Sequence, residues 1–141
     1  MKAHRFTLPY LDQEGSYTLE EDIGKIILIT FWASWCSACG VDLPKKEQLH
    51  QSIDPNVVKM LTINVKARER DMNAALTYKN KYLSQLALVD DGRFVYDQYQ
   101  CNGVPTTVIV DRNGDIYSKF DDQSDFLQIV QSLGELLKEH A

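Results

Sequence analysis

Two cysteines separated by two residues are the side chains in this sequence that most clearly predict chemistry. Cys36 and Cys39 follow a strand-like run at residues 25–32 and open a helix-like run at residues 36–52. Backbone N–H groups at a helix N-terminus stabilise a thiolate, so Cys36 can attack a disulfide. Cys39, one turn further on, can then resolve the mixed disulfide. The spacing therefore indicates thiol-disulfide redox chemistry.

Other interpretations of the cysteine pair remain open at this point. A zinc site would need two more ligands, and the candidates are Cys101, His4, His50 and His140. Of these, Cys101 is the one that could come close, and the chain has no second cysteine pair, so we expect no metal. Two buried, inert thiols fit less well, because a turn between a strand and a helix lies at the surface.

The length and composition describe the protein that must hold the pair. The chain has 141 residues, of which 44% are hydrophobic and 25% charged, as in one ordinary globular domain. Its net charge of -5 provides no basic surface for nucleic acid. The apolar run 26–29 is too short to cross a bilayer, and the N-terminus lacks the apolar segment of a signal peptide. We expect either a cytoplasmic protein or a domain whose export signal lies outside this sequence.

Hydrophobic patterning predicts strands and helices that alternate around the pair. Strands are predicted at 25–32, 57–65, 104–110 and 116–120, helices at 36–52, 68–82, 94–100 and 126–137, and a short segment at 86–89. The turn at Asn113 and Gly114 makes the last two strands antiparallel. This order predicts one α/β domain over residues 1–141 with a mixed sheet.

Two of the predicted helices have side chains that can be assigned individually. In the first helix, Val41 and Leu43 are assigned to the apolar side, whereas Lys46 and Glu47 are counted among its polar positions. In the last helix, Ser124 is predicted as the N-cap, because its hydroxyl can accept from a free backbone N–H of the first turn.

Several segments together resemble the thioredoxin superfamily, and more narrowly its TlpA/ResA-like branch of thiol-disulfide oxidoreductases. Residues 31–44 (FWASWCSACGVDLP) resemble the active-site signature, and residues 103–107 (GVPTT) resemble the cis-proline loop. The hairpin at 111–116 and the start at 6–9 extend the likeness over almost the whole chain. The resemblance implies a thioredoxin-like fold, with a central mixed sheet flanked by helices on both faces.

The resemblance also implies roles at matching positions. Cys36 would be the nucleophile, Cys39 the resolving thiol, and Pro105 a cis-proline that faces them. A cis bond there lets the backbone of Val104 pair with an extended substrate. Trp35 would form a flat apolar platform for docking partners, whereas Trp32 is expected in the core. The substrate-binding residues are thus predicted as Trp35, Ser37, Ala38 and Val104.

Asp42 departs from the pattern of thioredoxin itself. Thioredoxin keeps a buried acid in the strand before its cysteines, and the corresponding position here is Thr30. The TlpA/ResA-like branch has an acid three residues after the second cysteine, where this chain has Asp42. Positions three apart share a helix face, so Asp42 is predicted to accept the proton of Cys39. The alternative is an acid that only stabilises the helix dipole.

The implied function is a thiol-disulfide oxidoreductase that reduces disulfides in proteins such as apocytochrome c or other exported proteins. It would use no cofactor besides the Cys36–Cys39 disulfide, would take electrons from an upstream thiol donor, and would be a monomer. The branch works at the extracytoplasmic face of a bacterial cytoplasmic membrane, with any tether outside this sequence; a cytoplasmic location is the alternative. The two residues between the cysteines, Ser37 and Ala38, do not indicate the value of the redox potential.

Two alternative functions share the fold. A thiol peroxidase would want a threonine where Trp32 and Ala33 precede Cys36, and a peroxide-consumption assay tests it. A redox-inert interaction module would fail to reduce insulin. Among the remaining residues, Cys101 is predicted to be small and buried, with a regulatory thiol as the alternative. The stretch 66–70 is predicted to be a solvated face.

Overall fold

The computed structural model of the protein describes residues 1–139. In chain order the elements are β1 (Thr7–Pro9), β2 (Ser16–Thr18), β3 (Ile26–Trp32), α1 (Ser37–Ser52), β4 (Val58–Val65), α2 (Met72–Tyr82), β5 (Leu86–Asp90), α3 (Phe94–Gln98), β6 (Thr106–Val110), β7 (Ile116–Phe120) and α4 (Phe126–Lys138). This alternation confirms the α/β order that the hydrophobic pattern predicts.

A five-stranded sheet in the order β5-β4-β3-β6-β7 forms the centre of the fold. Strands β3, β4 and β5 run parallel, whereas β6 pairs antiparallel with β3 and β7 antiparallel with β6. The central strand β3 is apolar almost throughout and buried along its whole length, as a strand covered on both faces must be. The mixed sheet of the thioredoxin-like fold is therefore confirmed.

Helices cover both faces of this sheet. Because side chains alternate along a strand, Leu28 and Phe31 of β3 point to opposite sides. Leu28 packs in a cluster with Leu133 of α4. Phe31 packs against Tyr96 of α3, with ring centroids 6.3 Å apart. The core is thus divided by the sheet into two layers, each closed by at least one helix.

The short hairpin of β1 and β2 lies against the β5 edge of the sheet. The backbone N–H of Leu11 donates to the carbonyl of Ala87, and Tyr10 bridges to Leu88. Covering an edge strand in this way leaves fewer of its backbone groups open to pairing with another chain. The N-terminal segment at residues 6–9, which contributes to the resemblance, is therefore packed as part of the domain.

Several predicted boundaries were wrong by one to four residues, and α3 ends at Gln98 instead of residue 100. Helix α2 begins at Met72 instead of residue 68, because residues 66–68 form a separate 3-10 turn and Asp71 caps the helix by accepting from Asn73 N–H. Strand β6 begins at Thr106, after the loop that contains Pro105. The N-cap of α4 is Asp125 and not Ser124, since the Asp125 carboxylate accepts from Leu127 N–H.

Helix α1 buries a different face from the one that its apolar residues predicted. Its buried positions are Cys39, Leu43, Lys46 and Glu47, whereas Val41 is exposed. These residues are separated by four, three and one positions, so they lie on a single helix face. Two of the four residues on that buried face are charged. The assignment of Lys46 and Glu47 to the solvent side was therefore wrong.

Candidate active site

Cys36 lies where the chain leaves β3 and enters α1, and it is the N-cap of that helix. Its sulfur accepts the backbone N–H of Cys39 at 3.1 Å and lies 3.4 Å from the carbonyl oxygen of Val104, to which its thiol donates. Both Cys36 and Cys39 are free thiols and both are buried, which corrects the expectation that this turn lies at the surface; Cys36 keeps 8% of its surface exposed. A hydrogen bond from a helix N-terminal N–H stabilises negative charge on the Cys36 sulfur, as a nucleophile requires.

The loop that faces the cysteines contains Pro105. The Val104–Pro105 peptide bond is cis, and the Val104 carbonyl faces the Cys36 thiol. Val104 is buried, and its carbonyl is the group that contacts Cys36. Ser37 and Ala38, also predicted to bind substrate, are exposed on the first turn of α1. The structure thus brings Val104, Ser37 and Ala38 around Cys36, and their roles stay predictions.

Cys39 is almost completely buried, with 1% of its surface exposed. Burial raises the pKa of the Cys39 thiol well above its ordinary value, and the hydrogen bond with Cys36 and the negative charge of Asp42 raise it further. At neutral pH this thiol keeps its proton. Resolution of a mixed disulfide by Cys39 therefore requires a nearby group that takes the proton away.

The negative charge of Asp42 acts on the Cys39 thiol, but Asp42 does not stand alone there. Its Oδ2 is 2.7 Å from the Nζ of Lys46, whose side chain is 0% exposed. The same ammonium donates to the Oγ1 of Thr107 at 2.6 Å. Asp42 is thus held in a buried ion pair that the hydropathy pattern did not predict. The helical spacing from Cys39 through residues 43 and 46 was the signal that could have found it.

Trp35 forms part of the exposed rim beside Cys36, as predicted, and 41% of it is accessible. Its indole N–H donates to the carbonyl of Arg68, and the guanidinium of Arg70 stacks over its ring at 4.7 Å. Trp32 is fully buried, which confirms its place in the core.

The stretch 66–70 is largely solvent-exposed, as predicted, but Glu69 is half-buried and makes a link that was not predicted. The carboxylate of Glu69 accepts the backbone N–H of Ser34 at 2.9 Å, the Ser34 hydroxyl, and the side-chain amide of Asn64 at 2.7 Å. Glu69 therefore ties the segment that leads into Cys36 to the end of β4. Nothing in the sequence marked this link, because its partners are 5 and 35 residues away along the chain.

Two open grooves flank the cysteines. One, of about 300 Å³, includes Ala38, Asp42, Pro105 and Asp122 in its lining. The other, of about 460 Å³, lies beyond Trp35 and includes Arg70, Tyr78, Lys81 and Tyr82. A partner bound over Cys36 would therefore meet an acidic groove on one side and an aromatic, basic groove on the other.

The remaining candidate ligands do not gather around the pair. Among residues 1–139, no three His, Cys, Asp or Glu side chains are arranged to hold a metal ion, so the zinc alternative has no ligand set in that part of the chain. His4 packs against Tyr99, and His50 hydrogen-bonds to Ser84. His140 lies outside the described residues.

Cys101 is buried, as predicted. Burial raises the pKa of the Cys101 thiol to about 11, so it stays protonated at neutral pH. A protonated and inaccessible thiol is a poor nucleophile. The structure therefore places Cys101 in the core and not among the reacting groups.

A thioredoxin-like sheet that carries a dithiol at a helix N-terminus is the framework of the thiol-disulfide oxidoreductases. Solved structures agree with that class. The exposed lipoprotein thioredoxin Etrx1 of Streptococcus pneumoniae aligns with a TM-score of 0.79 and 27% identity, over 94% of this chain and 100% of that one. A thiol-disulfide isomerase from Corynebacterium glutamicum aligns with a TM-score of 0.80 and 21% identity over 96% of both chains, which supports the fold.

The chain belongs to the AhpC/TSA family, which it matches over residues 1–119. The thiol-disulfide oxidoreductase ResA of Halalkalibacterium halodurans is 29% identical over 140 residues, which are 99% of this chain and 77% of that protein. The thioredoxin-like protein YneN of Bacillus subtilis is 27% identical over 113 residues, and there the chain covers 65% of the relative's length. The protein is a thiol-disulfide oxidoreductase with Cys36 and Cys39 as its CxxC motif.

The helices are short or polar in comparison with a bilayer-spanning segment. Within the described range 1–139, none combines the length and the apolar character that a membrane span needs.

Proposed function

We propose that the protein reduces disulfides in protein substrates, with Cys36 as nucleophile, Cys39 as resolving thiol and Asp42 as the acceptor of the Cys39 proton. The observation that carries this proposal is the Cys36 sulfur, held between the Cys39 N–H and the carbonyl of Val104 at the N-terminus of α1. That position suits attack on a disulfide presented along the Val104 backbone.

The first step transfers one substrate sulfur to the enzyme. The thiolate of Cys36 attacks one sulfur of the substrate disulfide, a mixed disulfide forms, and the other substrate cysteine leaves as a thiolate. That leaving group takes its proton from solvent. The exposed Trp35, Ser37 and Ala38 surround the site of attack and are proposed to contact the substrate chain.

The second step returns the sulfur to the substrate in reduced form. Cys39 gives its proton to Asp42, and its sulfur attacks the Cys36 sulfur of the mixed disulfide. The second substrate cysteine leaves as a thiolate, and a Cys36–Cys39 disulfide remains. The substrate has gained two electrons and the enzyme has lost two, so an upstream dithiol donor must reduce the pair before the next cycle.

Exported proteins, with apocytochrome c among them, are the proposed substrates, and the extracytoplasmic side of a bacterial cytoplasmic membrane is the proposed location. Support comes from the Streptococcus pneumoniae relative that is described as an exposed lipoprotein. We further propose that the protein works as a monomer and binds no nucleic acid, in line with its net charge of -5.

An equilibrium redox titration of the Cys36–Cys39 pair against glutathione and dithiothreitol, read by intact mass after alkylation, tests the direction of transfer. A potential near about -270 mV supports a reductant, whereas a value near about -120 mV would mean a disulfide donor and overturn the proposal. Turnover of an oxidised apocytochrome c peptide and of insulin, compared with a Cys36→Ser control, then tests the substrate class. Peroxide consumption with a thiol donor that exceeds disulfide reduction would favour the peroxidase alternative instead.

A further inference from the structure

We infer that Lys46 is a positioning residue for the resolving step: its buried ammonium pairs with the Asp42 carboxylate, one helical turn from Cys39, and fixes that carboxylate to the strand that follows Pro105. This inference rests on the proposed function, because it concerns the proton that Cys39 must lose. It assigns chemistry to a lysine that the sequence alone placed on the solvent side of α1.

The geometry leaves the lysine little choice of partner. Its Nζ lies 2.7 Å from Asp42 Oδ2 and 2.6 Å from Thr107 Oγ1. The lysine side chain is 0% exposed, and that of Asp42 is 13% exposed. Thr107 pairs in register with Thr30 of the central strand and follows Pro105 by two residues. One ammonium therefore connects the proposed proton acceptor to β6, the strand that follows the loop facing the cysteines.

The charge balance of the proton transfer explains why a cation is useful there. Before transfer the cluster holds a neutral thiol at Cys39, a carboxylate at Asp42 and an ammonium at Lys46. After transfer it holds a thiolate, a neutral carboxyl group and the same ammonium, so its net charge is zero in both states. Without the cation the cluster would carry one negative charge throughout, and a buried, uncompensated charge is disfavoured.

The loss of the cation would therefore favour the protonated form of Asp42, which cannot accept another proton. An opposite charge within about 4–6 Å favours the ionised form of a carboxyl group by about one to three pH units. Burial lowers the pKa of Lys46, while the Asp42 charge, its hydrogen bond to the lysine, and Cys39 act in the opposite direction. The Asp42 charge thus stabilises the charged form of Lys46, and Cys39 belongs to the same electrostatic unit.

A purely architectural role is the simpler alternative. Buried ion pairs contribute little to stability compared with well-packed apolar side chains of similar volume. A leucine at position 46 would satisfy the helix face as well. Stability alone therefore gives no reason for a lysine in that position, whereas a proton acceptor beside Cys39 does.

Other titratable groups around the cluster must be separated from Lys46 in a pH experiment. They come from α1, from α2 and from the segment before α4, and they are Cys36, Lys45, Tyr78, Asp121, Asp122 and Asp125. All of them remain when Lys46 alone is replaced. A change in the pH profile that appears on substitution of Lys46 is therefore assigned to the lysine.

Lys46→Met tests the inference, with Glu47→Gln as the matched control on the next buried position of the same helix. The reduced proteins, all with Cys101→Ala, are mixed with Ellman's reagent. Attack by Cys36 releases one thionitrobenzoate, and resolution by Cys39 releases the second. The rate of the second phase is measured as a function of pH, and the acidic limb of this profile is the range in which the rate falls as pH is lowered. We expect this limb to move to higher pH by about one to three units in Lys46→Met, with the first phase unchanged. Glu47→Gln should keep the limb of the parent protein.

A second pair of variants keeps the inference testable if Lys46→Met does not fold. Lys46→Gln retains hydrogen bonding without the charge and should shift the limb, whereas Lys46→Arg retains the charge and should not. An identical limb in the parent and the uncharged variants overturns the role of Lys46 while leaving the proposed function intact. Absence of the second phase in the parent protein would instead overturn the proposed function itself.

Discussion

Helix α1 buries two charged residues next to each other, and their surroundings differ in kind. Glu47 receives hydrogen bonds from both the backbone and the side chains of Ser84 and Gln85, at 2.7–3.2 Å. Lys46 has one carboxylate and one hydroxyl as partners. The carboxylate of Glu47 is enclosed by one loop, whereas the lysine joins the resolving cysteine to the opposite strand.

The two environments act on charge in opposite ways. Burial alone would raise the pKa of Glu47, but the hydrogen bonds from Ser84 and Gln85 outweigh it and lower that pKa. Burial lowers the pKa of Lys46 despite its partner Asp42. The Glu47 charge is thus stabilised by folding, as in a structural anchor, while the Lys46 charge is retained at a cost. Such costly groups are typical of functional sites.

The largest expected effect is on the rate of resolution by Cys39, which should depend on Asp42 and not on Glu47. Asp42→Asn removes the proposed proton acceptor, so resolution by Cys39 should slow by about 10²- to 10⁴-fold. Attack by Cys36 should change by less than about twofold, since that step needs no proton from Cys39. Stopped-flow measurement of the two thionitrobenzoate phases checks this. An unchanged second phase would contradict the role of Asp42.

The next effect is on stability and belongs to Glu47. Glu47→Ala leaves the buried backbone N–H and side-chain amide of Gln85, and the N–H and hydroxyl of Ser84, without this acceptor. The free energy of unfolding should fall by about 2 kcal/mol. Urea denaturation followed by circular dichroism measures the loss. The rate of resolution by Cys39 should stay at the parent value. A slower second phase would contradict a purely structural role of Glu47.

A smaller effect concerns the pH dependence of stability. Because the pKa of Glu47 is lowered in the folded protein, its stabilisation is present above the unfolded-state value of about 4.3 and is lost as pH falls through the folded-state pKa. The stability difference between the parent and Glu47→Gln should therefore be constant near neutral pH and shrink in acid. Denaturation curves at several pH values test it; a difference that grows in acid would have the wrong sign.

The smallest expected effect is on the stability of a double variant. Replacing both Asp42 and Lys46 by leucine removes an ion pair without leaving either charge alone, so the free energy of unfolding should change by less than about 1 kcal/mol or increase. Resolution should nevertheless be slow, as in Asp42→Asn. A large loss of stability would show that the pair is an anchor like Glu47.

Short-range sequence patterns predicted much of the fold and part of the candidate active site. The apolar run before Cys36, the Asn113–Gly114 turn and the cysteine spacing are short-range signals, so they predicted β3, the β6–β7 hairpin and the dithiol position. The partners of Lys46 and Glu69 could not be read in this way. Thr107 is 61 residues from Lys46, and Ser34 is 35 residues from Glu69, and only the closed sheet brings them together.

Charged residues on a buried helix face explain the other misses. A hydropathy pattern assigns lysine and glutamate to solvent, and that rule holds wherever burial has no compensating partner. In α1 part of the compensation comes from Asp42, one helical turn away, and the rest comes from β6 and from the loop before β5, which a window along the sequence does not contain. The helix was therefore placed correctly in the chain while its orientation was wrong.

Because Cys101 is buried, it does not add to the number of electrons that the protein can carry. With Cys101 enclosed and protonated, Cys36 and Cys39 are the one redox couple among the three cysteines, with a capacity of two electrons. In the proposed cycle no internal thiol relays electrons from a distant surface, so donor and substrate must both reach Cys36. They would then bind in turn at one place, giving ping-pong kinetics in which an excess of either partner inhibits the other.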